Sequence, residues 1–559
     1  MSLQTVTISE KVKDALKKAP YVVRYIKNIE KSIGFPNILD VSELSYDLKK
    51  LRNVNLMYHI GEGIFIHIYM PPQGTVSGYR KYVVIEPPSP HPRLLESIEI
   101  RLADVITEKD NVEDIEERKK LILSKLDSII RIVDTPVNYG SLKSGTKTIQ
   151  VYRADYEYLR YHIAKDKIGL GVLEPFIKDI WIEDITCRGM GFIYLFHKIF
   201  GPLETNIEFK TTEELDSFVI KLAERIGKPV SHARPIVDAT LPDGSRINIV
   251  YGGDVSLHGS NFTIRKFSKI PISVTQLIAW NTLDVKIAAY LWMLLNNSMS
   301  GFICGETASG KTTLLNAISA FIPPTYKVVS IEDTAEVQLP HLNWVRELTR
   351  DTGSKESSVT MFDLLRAALR QRPNYIIVGE IRGVEAAIAF QAMQTGHPVL
   401  STFHAASVER VVQRLTGEPI KIPKSFMDNL NFVTIQSAVW RGGIMLRRVI
   451  SVNEIIGYDP EVDSIIYVPV FTWDPVRDVF VFRGEGASYL LENKIAVMRG
   501  ISRINMRQIY EELNMRARFL DLMVKKKILN YFDVWNTIIK TYEIGLETAL
   551  NRLERGSLT

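Results

Sequence analysis

Cysteine is nearly absent from this sequence, which has two, Cys187 and Cys304, among 559 residues. Two cysteines cannot build a disulfide framework or a cysteine-rich zinc site. The opening Met-Ser-Leu-Gln-Thr leads into no apolar segment, so we expect no signal peptide. The sequence also lacks a run of about 20 apolar residues, the length that crosses a bilayer as a helix. These absences predict a cytoplasmic protein.

The net charge of the chain is also small. Lys and Arg number 69 and Asp and Glu number 64, which gives a net charge of +5. Proteins that coat nucleic acid carry pronounced clusters of Lys and Arg, so we expect no nucleic-acid partner. Apolar residues make up 46% and charged residues 24%, which is typical of a globular protein with ample core.

Basic residues are concentrated in one segment near the amino terminus. Between Ser9 and Ile33 seven Lys and Arg residues stand against three Asp and Glu residues. Apolar residues recur there at helical spacing, from Val22 to Ile33. Two interpretations remain open: the basic residues form a solvated helical face, or they rest on anionic lipid or on a membrane partner.

Periodicity and turn residues divide the chain into four regions. Residues 1–105 form an amino-terminal accessory region. Residues 106–267 alternate helical patterns with short strands and predict an α+β domain, in which Asp243-Gly244 is a strong hairpin-turn signal. Residues 268–273 resemble a linker, and residues 274–559 predict an α/β domain with a helical carboxyl-terminal extension.

One loop of the α/β domain has the features of a phosphate-binding loop. Residues 305–312 read Gly-Glu-Thr-Ala-Ser-Gly-Lys-Thr, between a short apolar run and a helical pattern. Successive N–H groups of such a loop form an anion cradle, to which the helix N-terminus adds donors. Lys311 would then reach the β- and γ-phosphates of ATP, and the Thr312 hydroxyl would bind Mg²⁺. The expected nucleotide-binding residues are Gly305, Glu306, Thr307, Ala308, Ser309, Gly310, Lys311, Thr312 and Thr313.

Carboxylates follow two further apolar runs of this domain. Glu332 and Asp333 end one predicted strand, and Glu380 follows another. Residues just past a strand of an α/β sheet lie at its carboxyl edge, where ligands bind. Glu380 is therefore the first candidate to activate water for hydrolysis, and Glu332 is the alternative.

The motifs together resemble the secretion ATPase superfamily that drives type II secretion, type IV pili and the archaellum. Four motifs stand in the family's order: Walker A at 305–312, the Asp box at 331–336, the Walker B region at 370–383 and the His box at 395–405. Further similarity lies at 182–185 and 241–246. The segments 471–475 and 506–531 look most like the archaeal branch.

The resemblance implies a fold and a function. The fold would be α/β, a RecA-like P-loop core preceded by an α+β amino-terminal domain, assembled as a homo-hexamer. ATP hydrolysis would move the two halves of the chain and push on a polytopic inner-membrane platform protein. The filament so extruded or rotated would consist of pilin-like or archaellin subunits. The protein would be peripheral at the cytoplasmic membrane.

One position departs from the general P-loop pattern. Gly379 stands where many P-loop enzymes place an aspartate that supports Mg²⁺. Glycine there is usual for the family, so the resemblance implies that Glu332 or Asp333 serves the metal's outer shell. His404 and His397 are candidates for a γ-phosphate sensor or for communicating the state of the nucleotide.

Three arginines of the amino-terminal half are candidates to complete the active site between domains or subunits. Arg234, Arg246 and Arg265 could stabilise the charge that develops on the γ-phosphoryl group. Arg246 is the first choice, because the two-residue period of a strand directs it away from Ile247 and Ile249.

Two other functions remain as alternatives. A DNA-translocating or conjugation ATPase would share the P-loop, but the charge balance argues against it. A nucleotide-binding scaffold could switch without turnover, although Lys311, Thr312 and Glu380 are all intact.

Overall fold

The computed structural model describes residues 9–44, 48–49, 51, 53–72, 78–106, 112, 114–142, 148–267, 270–350, 356–442 and 444–558. The chain forms two compact units, unit 1 from Met1 to Phe267 and unit 2 from Ser268 to Thr559. The first two residues of the expected linker, 268 and 269, lie outside the described part. Within the described ranges no helix is long and apolar enough to cross a membrane.

Unit 1 mixes helices and strands. In chain order these are α1 (Glu10–Lys18), α2 (Pro20–Ile33), β1 (Asn37–Asp40), β2 (Asn55–Gly61), β3 (Ile64–Tyr69), β4 (Arg80–Ile85), α3 (Pro92–Val105), α4 (Ile115–Ile129), β5 (Ile130–Val133), β6 (Ile149–Tyr152), α5 (Arg153–Lys167), α6 (Glu174–Lys178), β7 (Ile182–Cys187), β8 (Gly191–His197), β9 (Gly201–Phe209), α7 (Thr212–Arg225), β10 (Ile236–Thr240), β11 (Arg246–Val250) and β12 (Asn261–Arg265).

One large sheet organises unit 1. Its strand order is β1-β2-β3-β4-β9-β8-β7-β12-β11-β10, and β5 pairs with β6 separately. Strand β4 pairs in parallel with β9, so strands from both sides of the boundary expected near residue 105 belong to the same sheet. The hairpin expected around Asp243-Gly244 joins β10 to β11.

The spacing of apolar residues in the sequence predicts helices of unit 1, and one predicted helix is shorter in the structure. Helix α7 buries Leu215, Val219 and Leu222, the apolar face that helical spacing in the sequence predicts. The apolar spacing from Ile115 to Asp134 predicts one helix over this whole range, but α4 ends at Ile129 and the next four residues form β5. Three of those four residues are β-branched, which favours a strand once a partner such as β6 is available.

Unit 2 contains the expected P-loop core. Its elements are α8 (Val274–Ala279), α9 (Val285–Asn296), β13 (Gly301–Gly305), α10 (Lys311–Ser319), β14 (Val328–Glu332), β15 (Trp344–Leu348), α11 (Met361–Arg370), β16 (Tyr375–Ile381), α12 (Glu385–Gln394), β17 (Val399–Phe403), α13 (Val408–Thr416), β18 (Phe432–Arg441), β19 (Ile444–Asp459), β20 (Ser464–Asp474), β21 (Val479–Phe482), α14 (Ala496–Met498), α15 (Arg507–Lys525), α16 (Tyr531–Ile544) and α17 (Leu546–Arg555).

The sheet of unit 2 is parallel in its first half and antiparallel in its second. The strand order is β15-β14-β16-β17-β13-β18-β19-β20-β21, and pairing is parallel from β15 to β18. Beyond β18 the strands meander antiparallel to β21, an extension that the sequence did not reveal. Helices and loops cover both faces of the parallel half, which is why β13, β14 and β17 are buried along their whole length. This arrangement confirms the predicted fold class.

Candidate nucleotide-binding site

The phosphate loop joins the end of β13 to the start of α10, as the sequence predicts. A Cβ atom at Gly305 would lie only 2.3 Å from the carbonyl oxygen of Gln436 on the adjacent strand β18. Gly310, directly before α10, has a left-handed φ of +93°. The first glycine permits close approach to β18, and the second permits the sharp turn into the helix.

Polar groups within the loop converge on one carbonyl oxygen. The Glu306 oxygen accepts hydrogen bonds from Ser309 Oγ at 2.8 Å and from Lys311 Nζ at 3.0 Å. Thr312 and Thr313 lie half-buried in the first turn of α10. The Lys311 ammonium is thus held over the loop, close to the donors that a helix N-terminus offers to an anion.

Glu332 ends β14 in a buried position at the same edge of the sheet. Its side chain is 1% exposed, and its Oε1 accepts from the N–H groups of Glu336 at 2.8 Å and Val337 at 2.6 Å. The other oxygen, Oε2, has no hydrogen-bond partner among the described residues and lies 3.8 Å from Arg346 Nε. Burial raises the pKa of Glu332 to about 7, although the two N–H donors and Arg346 oppose the shift.

Gly379 lies directly against Glu332. A Cβ atom at residue 379 would be 3.1 Å from Glu332 Cγ, so a larger side chain would press on this carboxylate. The pairing of β16 with β17 shifts at this point, and Thr402 Oγ1 donates to the Gly379 carbonyl at 2.6 Å. This irregularity, together with the glycine, leaves room for Glu332 where many P-loop enzymes carry an aspartate.

Glu380, the next residue, is partly exposed at the carboxyl edge. Its Oε2 accepts a hydrogen bond from the guanidinium of Arg382, whose own side chain is 63% exposed. This ion pair positions Glu380 at the solvent-accessible edge, where a carboxylate can accept a proton from water. The two glutamates therefore differ: Glu332 is buried with a raised pKa, whereas Glu380 is solvent-accessible and paired.

The two histidines of the expected His box lie at opposite ends of β17. His404 follows the strand, and its Nδ1 lies 3.1 Å from the carbonyl oxygen of Gly305, the first residue of the phosphate loop. His397 precedes the strand and lines a polar cavity of about 200 Å³ with Ser298 and Asp428. Because β13 and β17 are parallel, His397 lies at the amino edge of unit 2's sheet, away from the phosphate loop. His397 therefore makes no contact with the phosphate loop of its own unit, and its part as a γ-phosphate sensor or communicator stays a prediction.

The donor set fits Mg²⁺ bound together with a nucleotide. Within the described residues no group of three or more His, Cys, Asp or Glu side chains could hold a metal by itself. Mg²⁺ in phosphate sites uses one or two protein oxygens, phosphate oxygens and waters, so it needs no such group. The Thr312 hydroxyl and Glu332 Oε2, which accepts no hydrogen bond from the described residues, are suitable oxygens. Asp333 is exposed beside them and accepts a hydrogen bond from Thr349 at 3.1 Å.

The three candidate arginines all lie in unit 1 and are exposed. Arg246 on β11 stands directly opposite Arg265 on β12 in the antiparallel ladder. Two like charges in cross-strand positions repel each other, and Asp184 on β7, directly opposite Arg265, offsets part of that repulsion. Arg234 lies in a tight turn, where its N–H donates to Ser231 Oγ at 3.2 Å. Their part in catalysis stays a prediction.

Sequence reasoning missed three residues of this edge. Arg346 on β15 faces Glu332, while Gln436 on β18 and Arg447 on β19 lie against the phosphate loop. None of them belongs to a recognisable motif, and the strand pairings that bring them here are long-range.

Comparison with known proteins places these features in context. Residues 167–439 match the family model described as type II/IV secretion system protein. An uncharacterized protein of Methanocaldococcus jannaschii is 47% identical over 550 residues, which cover 96% of this chain and 97% of that protein. The type IV secretion system protein PtlH of Bordetella pertussis is 33% identical over 253 residues, covering 41% of this chain and 74% of PtlH. A crystal structure of the pilus retraction motor PilT with bound ADP is 19% identical with a TM-score of 0.38, covering 61% of this chain and 92% of that one.

Proposed function

Since the chain belongs to the type II/IV secretion system ATPase superfamily, we propose that it is an ATP-hydrolysing motor. The observation that carries the proposal is the meeting of four elements at one sheet edge. The phosphate loop follows β13 and His404 follows β17, while Glu332 and Glu380 lie in the last two residues of the neighbouring parallel strands β14 and β16. Ligands of open α/β sheets bind at this edge.

Each residue has a distinct task in the proposed reaction. The loop N–H groups and Lys311 bind the phosphates, and Thr312 and Glu332 would hold Mg²⁺. Mg²⁺ bound with ATP would neutralise charge on the phosphoryl oxygens. Glu380 orients the attacking water and accepts its proton. His404 connects the end of β17 to the backbone of the phosphate loop at Gly305.

The motor proposal extends to assembly and partners. We propose a homo-hexamer that is peripheral at the cytoplasmic membrane and acts on a polytopic platform protein. Its output would be the assembly or rotation of a type IV pilus-like or archaellin filament, or type II-like secretion. The match to the type II/IV secretion family model and the similarity to the type IV secretion system protein PtlH support this group of functions.

Replacement of Lys311 tests nucleotide binding. Lys311→Ala should weaken ATP binding at least about tenfold, because hydrogen bonds to charged groups contribute roughly 1.5–3 kcal/mol. Fluorescence titration with an ATP analogue measures the effect, and Lys421→Ala, an exposed lysine paired with Glu418, is the matched control. Equal affinities of the two variants would contradict the assignment of the phosphate loop.

The two alternatives predict different measurements. A DNA-translocating ATPase should bind DNA in a salt-dependent manner. A switching scaffold should bind ATP but release no phosphate. Steady phosphate release by the wild-type chain, without DNA, supports the motor over both.

A further inference from the structure

We propose that Arg447, on strand β19, is a positioning residue that holds the phosphate loop ready for the nucleotide. The proposal rests on the proposed function, because it concerns the same site. Arg447 Nε donates a hydrogen bond to the carbonyl oxygen of Ala308, at the apex of the loop, at 2.9 Å. The two residues are 139 positions apart in the chain, so only the folded sheet brings them together.

The hydrogen bond fixes the orientation of one peptide group. In a planar trans peptide the carbonyl oxygen and the following N–H point in opposite directions. With its oxygen held by Arg447, the peptide after Ala308 directs the Ser309 N–H inward, where it meets the Glu306 carbonyl at 3.3 Å. Ser309 Oγ and Lys311 Nζ donate to the same carbonyl. An oxygen of a bound phosphate could take the place of this acceptor.

The backbone of the loop needs such support. Ala308 has a φ of +62°, in the left-handed region that residues other than glycine rarely adopt. Conformations of this kind persist where surrounding structure holds them. The carbonyl that follows this φ is the one to which Arg447 is bonded.

Both loop glycines lie against the hairpin that carries Arg447. A Cβ atom at Gly310 would lie 3.1 Å from Arg447 Cδ and 3.1 Å from Gln436 Nε2, and Gly305 closely approaches the Gln436 carbonyl. The hairpin of β18 and β19 thus packs along one side of the loop.

Arg448, the residue after Arg447, holds this hairpin in place. Arg448 is 4% exposed in its side chain, and its guanidinium bonds both carboxylate oxygens of Asp478, at 2.8 Å and 3.0 Å. These hydrogen bonds, with that of Trp473 Nε1 to the same carboxylate, hold the pKa of Asp478 well below its usual range. The backbone of β19 at Arg447 is therefore fixed before any nucleotide arrives.

The expected consequence is a change in affinity rather than in chemistry. A loop that is ordered in advance loses less conformational freedom on binding. Without Arg447 the nucleotide itself would have to order the loop. KM and the dissociation constant should then rise while kcat at saturation is kept, since Arg447 is bonded to the backbone and not placed at the reacting atoms.

The test compares three variants of the full-length chain. Arg447→Gln removes the charged donor, and Arg447→Lys keeps a charged donor on a flexible stem. Arg441→Gln is the matched control, because Arg441 lies on the same hairpin, donates to the Pro475 carbonyl at 2.7 Å and lies 3.8 Å from Asp478, so that it shares the support of the hairpin but not the hydrogen bond to Ala308. A fluorescent ADP analogue gives the dissociation constant, phosphate release gives KM and kcat, and thermal unfolding is followed without nucleotide.

We expect Arg447→Gln to weaken ADP and ATP binding about tenfold with kcat within about twofold of wild type, and Arg447→Lys to regain most of the affinity. Arg441→Gln should behave as wild type. Equal nucleotide affinities of Arg447→Gln and Arg441→Gln would overturn the proposal. A collapse of kcat at unchanged KM would also overturn it. A large loss of thermal stability confined to Arg447→Gln would overturn it as well, because it would show that Arg447 supports the fold. Failure of the wild type itself to bind ATP would instead overturn the proposed function.

Discussion

At the residue scale, the two glutamates of the site have different chemistry although both lie at the carboxyl ends of parallel strands. Glu332 is buried, accepts two backbone hydrogen bonds with one oxygen and has no hydrogen-bond partner for the other among the described residues. Glu380 is paired with Arg382 and reaches solvent. A general base must reach water and be ionised. We therefore assign proton acceptance to Glu380 and contact with the metal shell to Glu332.

Glu380→Gln tests this assignment. The amide cannot accept the proton of water, so turnover should fall by roughly 10²–10⁴-fold while ATP binding is retained. Phosphate release and nucleotide titration measure the two quantities. Glu461→Gln, an exposed glutamate in the turn between β19 and β20, is the control. Turnover of Glu380→Gln within about twofold of wild type would remove Glu380 as the base and leave Glu332 as the next candidate.

The raised pKa of Glu332 predicts a pH dependence of stability. The carboxyl group has an ordinary pKa of 4.5 and a pKa of about 7 when folded. Between these values the folded state holds a proton that the unfolded state has released, so stability falls as pH rises. The contribution is fully present below about pH 4.5 and lost above about pH 7, a total of about 3 kcal/mol.

Denaturant unfolding without nucleotide and with a chelator of divalent cations measures this contribution. Glu332→Gln keeps a neutral side chain of the same shape at every pH. Wild type should therefore lose about 2–3 kcal/mol relative to Glu332→Gln between pH 5 and pH 8. A constant difference between the two proteins over that range would show that Glu332 is not neutral at low pH in the folded state.

At the element scale, the amino-terminal helices α1 and α2 use their apolar face inside unit 1. Val12, Val22 and Ile26 are buried in a cluster that includes Met57 and Phe65 of the sheet. The basic residues of the same helices are exposed on the other side. The apolar face is therefore not available to enter a bilayer, and a contact with anionic lipid would be electrostatic.

This contact predicts salt-sensitive recruitment to anionic liposomes. Four reversals to Glu on α1 and α2 should abolish sedimentation with liposomes at low salt, because each basic residue near such a surface contributes about 1 kcal/mol. The reversed residues are Lys18, Arg24, Lys27 and Lys31. The control reverses four exposed lysines elsewhere in unit 1, namely Lys120, Lys210, Lys221 and Lys228. If both variants lost liposome binding equally, or if the variant of α1 and α2 lost none, the basic residues of these helices would be only a solvated face.

How far the sequence predicts elements depends on whether the determinants are local. The phosphate loop, the turn at Asp243-Gly244 and the face of α7 follow from neighbouring residues, and the structure contains all three. Strand β5 was taken for the end of a helix, because its partner β6 is separated from it in sequence.

The same distinction applies to the site. The carboxylates after β14 and β16 are expected from strand patterns alone. Arg447 could not be found in this way, because its position at the loop depends on β13 pairing with β18 and β18 with β19. His397 belongs to a local motif, yet only the direction of the parallel strands shows that it lies at the other edge.

At the scale of the whole molecule, each unit has its own core. The buried cluster around α9 and the one around Phe302 contain residues of unit 2 alone, and the cluster around Tyr58 contains residues of unit 1 alone. The division at residue 267 gives a natural end point for truncation. Residues 268–559 include the phosphate loop, both glutamates and His404, whereas the three candidate arginines belong to unit 1.

The last prediction concerns dependence of turnover on unit 1. If an arginine of unit 1 stabilises the charge that develops on the γ-phosphoryl group, Arg246→Ala should lower kcat far more than it weakens ATP binding, by roughly 10³-fold or more for a full arginine-finger role. Arg234→Ala and Arg265→Ala are the next candidates, and Arg188→Ala, an arginine stacked on Tyr194, is the control in the same unit.

The isolated fragment 268–559 provides the second arm of this test. It should bind the ATP analogue with an affinity close to that of the full chain, because every proposed phosphate contact is present, and yet release phosphate slowly. A transition-state contact that is missing lowers kcat without changing ground-state binding. Turnover by the monomeric fragment at the full-length rate, together with a normal rate for Arg246→Ala, would show that unit 1 takes no part in the chemistry. In that case its sheet and basic helices would act only in attachment, and the force-producing step would have to arise within residues 268–559.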